Sequence, residues 1–329
     1  FGVASGSGAH SFKSLTIAAA GTHVATSGTT TLTGESSGGF ALYNTADGTF
    51  THNSGTVAIT TNTNTFIYGM EGDDTSGSGA NALNNLTTTL GDAAYYCKLR
   101  PAAGTAHVIK GNVTVAEGLF QTETDGHTLT IEGDVSVESG GTLGHADHDA
   151  ADSFGSLTIA GTCITSEGTT TITGEGDGSG GTAGYAWYNV SGTHTHNNGT
   201  VNFTSASDTH IRETSFYNVT ITGGSSSVDF YYRDKGGGGT VTIANDLTIV
   251  EGLFRPAASG NALTVTGDVS IESGGILGQE DSTGAMSYGS LTIASGGTYR
   301  ATSGTTTITS ETSDYALNNA GTFTHNKGT

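Results

Sequence analysis

Along most of the chain, apolar residues alternate with Thr or Ser over short runs, and each run ends at Gly, Asn or Asp. One clear set is Val113-Thr114-Val115, Leu119-Phe120 and Leu129-Thr130-Ile131, punctuated by Gly118, Gly126 and Gly133. A period of two with one apolar side is the pattern of half-buried strands. The glycines between runs supply turns that need positive φ. Nowhere does a 3.6-residue period with capping residues persist, so no substantial helix is predicted.

These strands recur on two scales. A short polar residue opens an alternating strand at Asn112, Asp134 and Ser156, and again at Asp246, Asp268 and Ser290, in steps of 22 residues. Ser14, Asn44, Asn85, Asn189, Asn218 and Asn319 extend the series in looser steps that absorb glycine-rich insertions such as 174–184. All twelve are expected to stack as a polar ladder along one coil corner, as polar side chains do in cross-β structures. On the longer scale, Ser-Leu-Thr-Ile opens a block at Ser14, Ser156 and Ser290, so that copies lie 142 and 134 residues apart. Each block continues with Gly-Thr-Thr-Thr-(Ile/Leu)-Thr from Gly28, Gly168 and Gly304, and then with Thr-His-Asn at His52, His196 and His325. Two copies also share Glu-Gly-Leu-Phe, from Glu117 and Glu251, and Gly-Asp-Val-Ser, from Gly133 and Gly267.

A single coil cannot bury its own inner face, whereas stacked coils share one core and satisfy each other's backbone groups. The predicted fold is therefore all-β: a parallel β-helix, or β-solenoid, of about 22–30 residues per coil. It is expected to run as one continuous array over residues 1–329. The long repeats fall at approximately 1–142, 143–276 and a partial 277–329, a full repeat being about five coils long.

The Ser-Leu-Thr-Ile-Ala, Gly-Thr-Thr-Thr-Ile-Thr and Gly-Asp-Val-Ser-Ile-Glu-Ser-Gly-Gly blocks resemble repeats of large β-helical surface proteins of bacteria and archaea, and of phage fibres. The resemblance covers nearly the whole chain. It implies a secreted adhesive or structural fibre, and it carries over no functional residue.

Composition narrows the function classes. The 329 residues include 53 Gly and 2 Pro, and only 12% are charged, about half the usual share. A hydrophobic fraction of 34% supports a thin core and favours an elongated object. The net charge of −20 argues against nucleic-acid and anionic-membrane partners. No apolar run is long enough to span a membrane. The sequence opens inside one repeat at Phe1 and stops inside another at Thr329, so it reads as a mature or truncated piece, with export inferred. Cys97 and Cys163 fall three coils apart, roughly 14 Å at strand spacing, and are expected to be free.

Three groups of residues carry candidate chemistry. His145, Asp147, His148 and Asp149, with Asp152 nearby, form a dense loop-like cluster that could take a divalent cation. Calcium is the other cofactor to weigh, although no calcium-loop signature occurs. Tyr95, Tyr96, Arg100, Trp187, Tyr188, Tyr231, Tyr232 and Arg233 lie on matching insertions and offer stacking faces and donors to a glycan. The same aromatics could instead fill coil interiors or a lateral subunit contact. The Thr-His-Asn histidines read as structural turns, because copies five coils apart cannot share one ion. The sequons at Asn85, Asn112, Asn189 and Asn218 coincide with coil-opening positions, and Asn198 alone departs from them.

No catalytic motif is present, and no enzyme activity is expected. The leading reading is an extracellular structural segment of a filament, sheath or phage fibre, whose partners are copies of itself joined by end stacking or lateral packing. A glycan-binding surface adhesin and a polysaccharide-degrading tailspike are the alternatives.

Overall fold

A computed structural model describes residues 6–71, 81–102, 104, 106–176, 184–310 and 315–329. Among them are 32 short strands and no helix, so the chain is an all-β parallel solenoid of about 13 turns. It divides into two compact units. The first comprises Phe1–Gly168 with Ser191–Thr195, and the second Thr169–Val190 with His196–Thr329.

The first unit has three faces, visited in turn by each coil. One face stacks His10–Phe12, Thr29–Leu32, Thr56–Ile59 and Asn85–Thr89 with the 113–115, 135–137 and 157–159 segments. The next stacks Leu15–Ile17, Phe40–Asn44, Thr65–Tyr68 and Tyr96–Arg100, then continues through 119–122 and 142–143 to Thr162–Ile164 and Thr193–Thr195. The third includes Ala106–Ile109, the 128–131 segment and 153–154. Every one of these pairings is parallel. The period-two pattern sets the sides. Val113, Val115, Phe120, Ile131, Val135 and Val137 point inward and are buried, while the Thr and Ser between them face out. The second unit repeats this plan, with Thr169–Ile172, Thr200–Phe203 and Asn218–Thr222 opening one face and Tyr185–Asn189, Thr209–Arg212 and Asp229–Arg233 another.

Eight of the twelve expected ladder residues form true ladders, in two runs of four. In the first unit the Asn85 Oδ1 accepts from the Asn112 N–H at 2.8 Å, and the Asn112 Oδ1 accepts from the Asp134 N–H at 2.8 Å. The Ser156 hydroxyl then donates to the Asp134 carboxyl at 2.7 Å. In the second unit Asn218, Asp246, Asp268 and Ser290 repeat the arrangement, with distances of 3.1, 2.8 and 2.8 Å. The residue before each later rung is Gly for a steric reason. A Cβ at Gly133 would sit 2.2 Å from the Asn112 Oδ1, and one at Gly267 would sit 2.3 Å from the Asp246 Oδ1.

Asn44, Asn189 and Asn319 do not join the ladder, contrary to expectation. Asn44 pairs with Ile17, while Asn319, paired with Ile293, lies three residues beyond the corner. Ser14 and Asn44 stand on the second face, whereas the ladder runs along the first, where Thr29 and Thr56 hold its register; in the last coil that register falls on Ala316, beside Ser290. Asn44 and Asn189 are buried strand-end amides instead. Asn44 donates to the Gly69 carbonyl at 3.2 Å and to Asn81 at 2.9 Å. Ser14 opens its strand with no ladder bond recorded to the next coil.

The long repeat is not a whole number of coils. Leu15–Ile17 occupies the second face of its unit, whereas its equivalent, residues 157–159, occupies the first. Between them the chain completes five coils and two further faces. In the second unit, Thr169–Ile172 and its equivalent Thr306–Ile308 are offset in the same way.

Candidate functional sites on the solenoid walls

Each unit carries one wall where outward positions of successive coils are aromatic or cationic. In the first unit Phe40 is in register with Phe66, and Tyr43 with Tyr68, which is in turn in register with Arg100. The Tyr43 and Tyr68 rings stack at 4.7 Å, and Phe66 meets Tyr96 edge-on at 5.7 Å. The Arg100 guanidinium lies 4.4 Å over the Phe66 ring and forks onto the Glu123 carboxylate, whose hydrogen bond and charge raise the arginine pKa. Lys98 sits 4.8 Å over Tyr96. Beside these residues runs an open groove of about 470 Å³ lined by Thr16, Ser36, Ser37, Phe40, Tyr43, Tyr68 and Arg100. Tyr95 lies in the preceding turn, where its N–H donates to the Asp92 carbonyl.

The second unit builds an equivalent wall from Tyr185, His210, Tyr231 and Arg255 in one row, and from Tyr188, Arg212 and Arg233 in the next. His210 stacks on Tyr231 at 4.8 Å and meets Tyr185 at 5.2 Å. Arg212 donates to the Tyr188 hydroxyl at 3.0 Å, and Arg233 donates to the Tyr185 hydroxyl. Arg255 lies 4.5 Å over the Tyr231 ring and pairs with Asp229. Most cations of these walls thus already serve a ring, a hydroxyl or a carboxylate of their own chain.

Two expected glycan contacts are corrected. Trp187 and Tyr232 are fully buried, because they occupy inward positions of strands whose neighbours Tyr188, Tyr231 and Arg233 point out. Trp187 meets Phe216 edge-on at 5.3 Å. Its indole N–H donates to the Glu213 carboxyl at 3.1 Å, and the Asn189 amide donates to the same oxygen at 2.9 Å. Tyr232 packs on Phe254 at 4.7 Å, and burial pushes its hydroxyl pKa well up. Of the wall residues that sequence reasoning missed, Phe40 and Tyr43 carried a usable pattern, because Gly39-Phe-Ala-Leu-Tyr-Asn and Gly184-Tyr-Ala-Trp-Tyr-Asn are equivalent.

The expected cation cluster is also corrected. His145 and His148 come together with ring centres 5.1 Å apart, but Asp147 and Asp149 are exposed and lie outside the pair. Among the described residues no three His, Cys, Asp or Glu side chains could hold one metal ion. His148 Nε2 instead lies 3.0 and 3.1 Å from the Asp152 oxygens. Burial opposes protonation there, yet the Asp152 hydrogen bond and charge leave the His148 pKa raised.

The Thr-His-Asn histidines are turn elements. Nδ1 of His52, His196 and His325 accepts from the backbone N–H two residues on, at 2.9, 3.2 and 3.3 Å. The following Asn53, Asn197 and Asn198 adopt positive φ. Cys97 and Cys163 are buried and not joined in a disulfide, and burial pushes the Cys97 thiol up to about 12. No protein-family model, curated protein or solved structure matches this chain.

Proposed function

We propose that the chain is a structural β-solenoid, a stiff segment of an extracellular fibre or sheath, acting through length and rigidity rather than catalysis. The observation that carries this reading is the coil-to-coil bonding of its polar groups. Ladder amides and carboxyls bond the next coil, and wall arginines are held by rings and acids of neighbouring coils. Stacked coils of this kind gain stability from every neighbour, so rigidity grows with length. Copies of the same chain are the proposed partners, by end stacking or lateral packing, because a coil of this kind pairs with further coils like itself.

Electron microscopy of purified material at micromolar concentration tests this reading. A continuous fibre with an axial repeat of one chain is expected. Isolated short particles, or turnover of a polysaccharide panel, would overturn it in favour of an adhesin arm or a tailspike. One observation supports the adhesin as a second reading: the open groove beside Tyr43 and Tyr68 has the aromatic and hydroxyl lining that sugars use. Reproducible glycan-array binding that Tyr43→Ala abolishes would establish it.

A further inference from the structure

The two walls differ in how their arginines are balanced. In the first unit one outward column runs Tyr43, Tyr68, Arg100, and the next coil supplies Glu123, onto which Arg100 forks. In the second unit the matching column runs Tyr188, Arg212, Arg233, so two arginines stand in register on neighbouring strands. The next coil offers Ala257 where the first unit has Glu123. The Ala257 N–H donates to the Tyr232 carbonyl, just as the Glu123 N–H donates to the Leu99 carbonyl. The second column thus doubles the cation and drops the acid.

Among the described residues neither Arg212 nor Arg233 pairs with a carboxylate. Arg212 Nε donates to the Lys235 carbonyl at 2.9 Å, and another of its nitrogens donates to the Tyr188 hydroxyl at 3.0 Å. Arg233 donates to the Tyr185 hydroxyl. The Tyr185 and Tyr188 rings meet at 4.5 Å, so both guanidinium groups are anchored on one tyrosine pair. Neutral acceptors satisfy N–H groups but leave the charge unbalanced, whereas a carboxylate does both. Acids close by are engaged elsewhere. Asp229 is held by Arg255 and the Tyr231 hydroxyl, and Asp234 by the Gly236 and Gly239 amides. Glu213 points inward to Trp187 and Asn189, and the charge of Glu175 acts on His210. Both arginines are half-buried, where like charges repel more strongly than in open water.

We propose that Arg212 and Arg233 bind an oxyanion group, carboxylate or sulfate, carried on an acidic polysaccharide. Guanidinium groups match such oxyanions in shape and charge. The Tyr185 and Tyr188 hydroxyls accept from the arginines and still carry a proton to donate to the sugar. Nucleic acid fits less well, because the rings of this wall stack on one another, His210 on Tyr231 at 4.8 Å, and leave no open face for a base. The net charge of −20 is screened beyond about 8 Å at physiological ionic strength, so contact chemistry decides. This inference rests on the glycan-binding reading, at a place distinct from the groove beside Tyr43.

The test is retention of the full chain on immobilised alginate and dextran sulfate, with neutral dextran as control, at low and high ionic strength. Retention by at least one acidic polymer is expected, weakened by salt, with none on dextran. Arg212→Gln and Arg233→Gln should each weaken binding roughly tenfold or more, the worth of one charge-assisted hydrogen bond. Lys110→Gln, in the other unit, should leave it unchanged. Equal binding by wild type and Arg233→Gln would overturn the proposal. Loss in Tyr43→Ala but not in Arg233→Gln would place the glycan in the first-unit groove, so the adhesin reading would stand while this site fell. Calorimetric binding of sulfate ion with neither acidic polymer retained would also overturn it. If the arginine variants fail to fold, the wild-type chain decides: no retention on either acidic polymer at low ionic strength overturns the proposal equally.

Discussion

Glu213 is the position where one substitution should reveal most about how the solenoid interior is held together. It is buried, and its carboxyl accepts from Trp187 Nε1 at 3.1 Å, from Asn189 Nδ2 at 2.9 Å and from the Thr214 N–H at 2.7 Å. Glu213→Ala removes the acceptor of all three donors without admitting bulk water. Each stranded buried donor costs about 1–3 kcal/mol, offset in part because the carboxylate itself is no longer buried. A loss of roughly 3–5 kcal/mol, toward the low end of the sum over three donors, is therefore expected. Glu213→Gln keeps the oxygen that Trp187 and Asn189 share, but it turns an amide N–H₂ toward the Thr214 N–H. It should cost roughly 1–3 kcal/mol. Trp187 is the only tryptophan of the chain and touches the mutated group, so its fluorescence reports on this coil. Urea unfolding followed by Trp emission should show midpoints in the order wild type, Glu213→Gln, Glu213→Ala. Equal midpoints for wild type and Glu213→Ala, with emission still blue-shifted, would refute the assignment of Glu213 as the buried acceptor of this network.

Further expectations concern the core, the backbone and the walls. His107 sits at an inward position in register with Leu129, and burial together with the charge of His127 lowers its pKa from 6.5 to about 4. Its unfolded form takes up a proton first, so stability should be full above pH 6.5 and fall as the pH drops toward 4, by up to roughly 3 kcal/mol. His107→Leu should flatten that part of the pH profile of urea midpoints. Gly278 has φ +95, and an added Cβ would lie 2.1 Å from the Arg300 carbonyl, so Gly278→Ala should lower the melting temperature far more than a loop Gly→Ala elsewhere. Arg255→Gln removes a charged partner from Asp229 in a pair whose side chains are only 23% and 15% exposed, and should cost roughly 1.5–3 kcal/mol in the same urea assay. Neither cysteine should react with a thiol reagent until the chain is denatured.

Local pattern made much of this protein legible. Period-two alternation specifies strands and their inner faces, because side chains of an extended chain alternate sides whatever it packs against. Steps of 22 residues with Asn, Asp or Ser at the corner disclosed both ladders, since a rung needs only a short polar side chain once per coil. The Thr-His-Asn turns were equally local, each ring bonding within its own three residues.

What tertiary structure decided is register. Spacing near Asn44 and Asn319 looked like more of the same ladder, but Asn44 falls on the second face, while Thr29 and Thr56 hold the ladder register, and Asn319 falls three residues past Ala316. The long repeat spans five coils and two faces, which no count of residues discloses without knowing where each turn closes. Trp187 and Tyr232 were read as surface residues because their segments are rich in aromatics, and only the pairing showed which ring of each pair points inward.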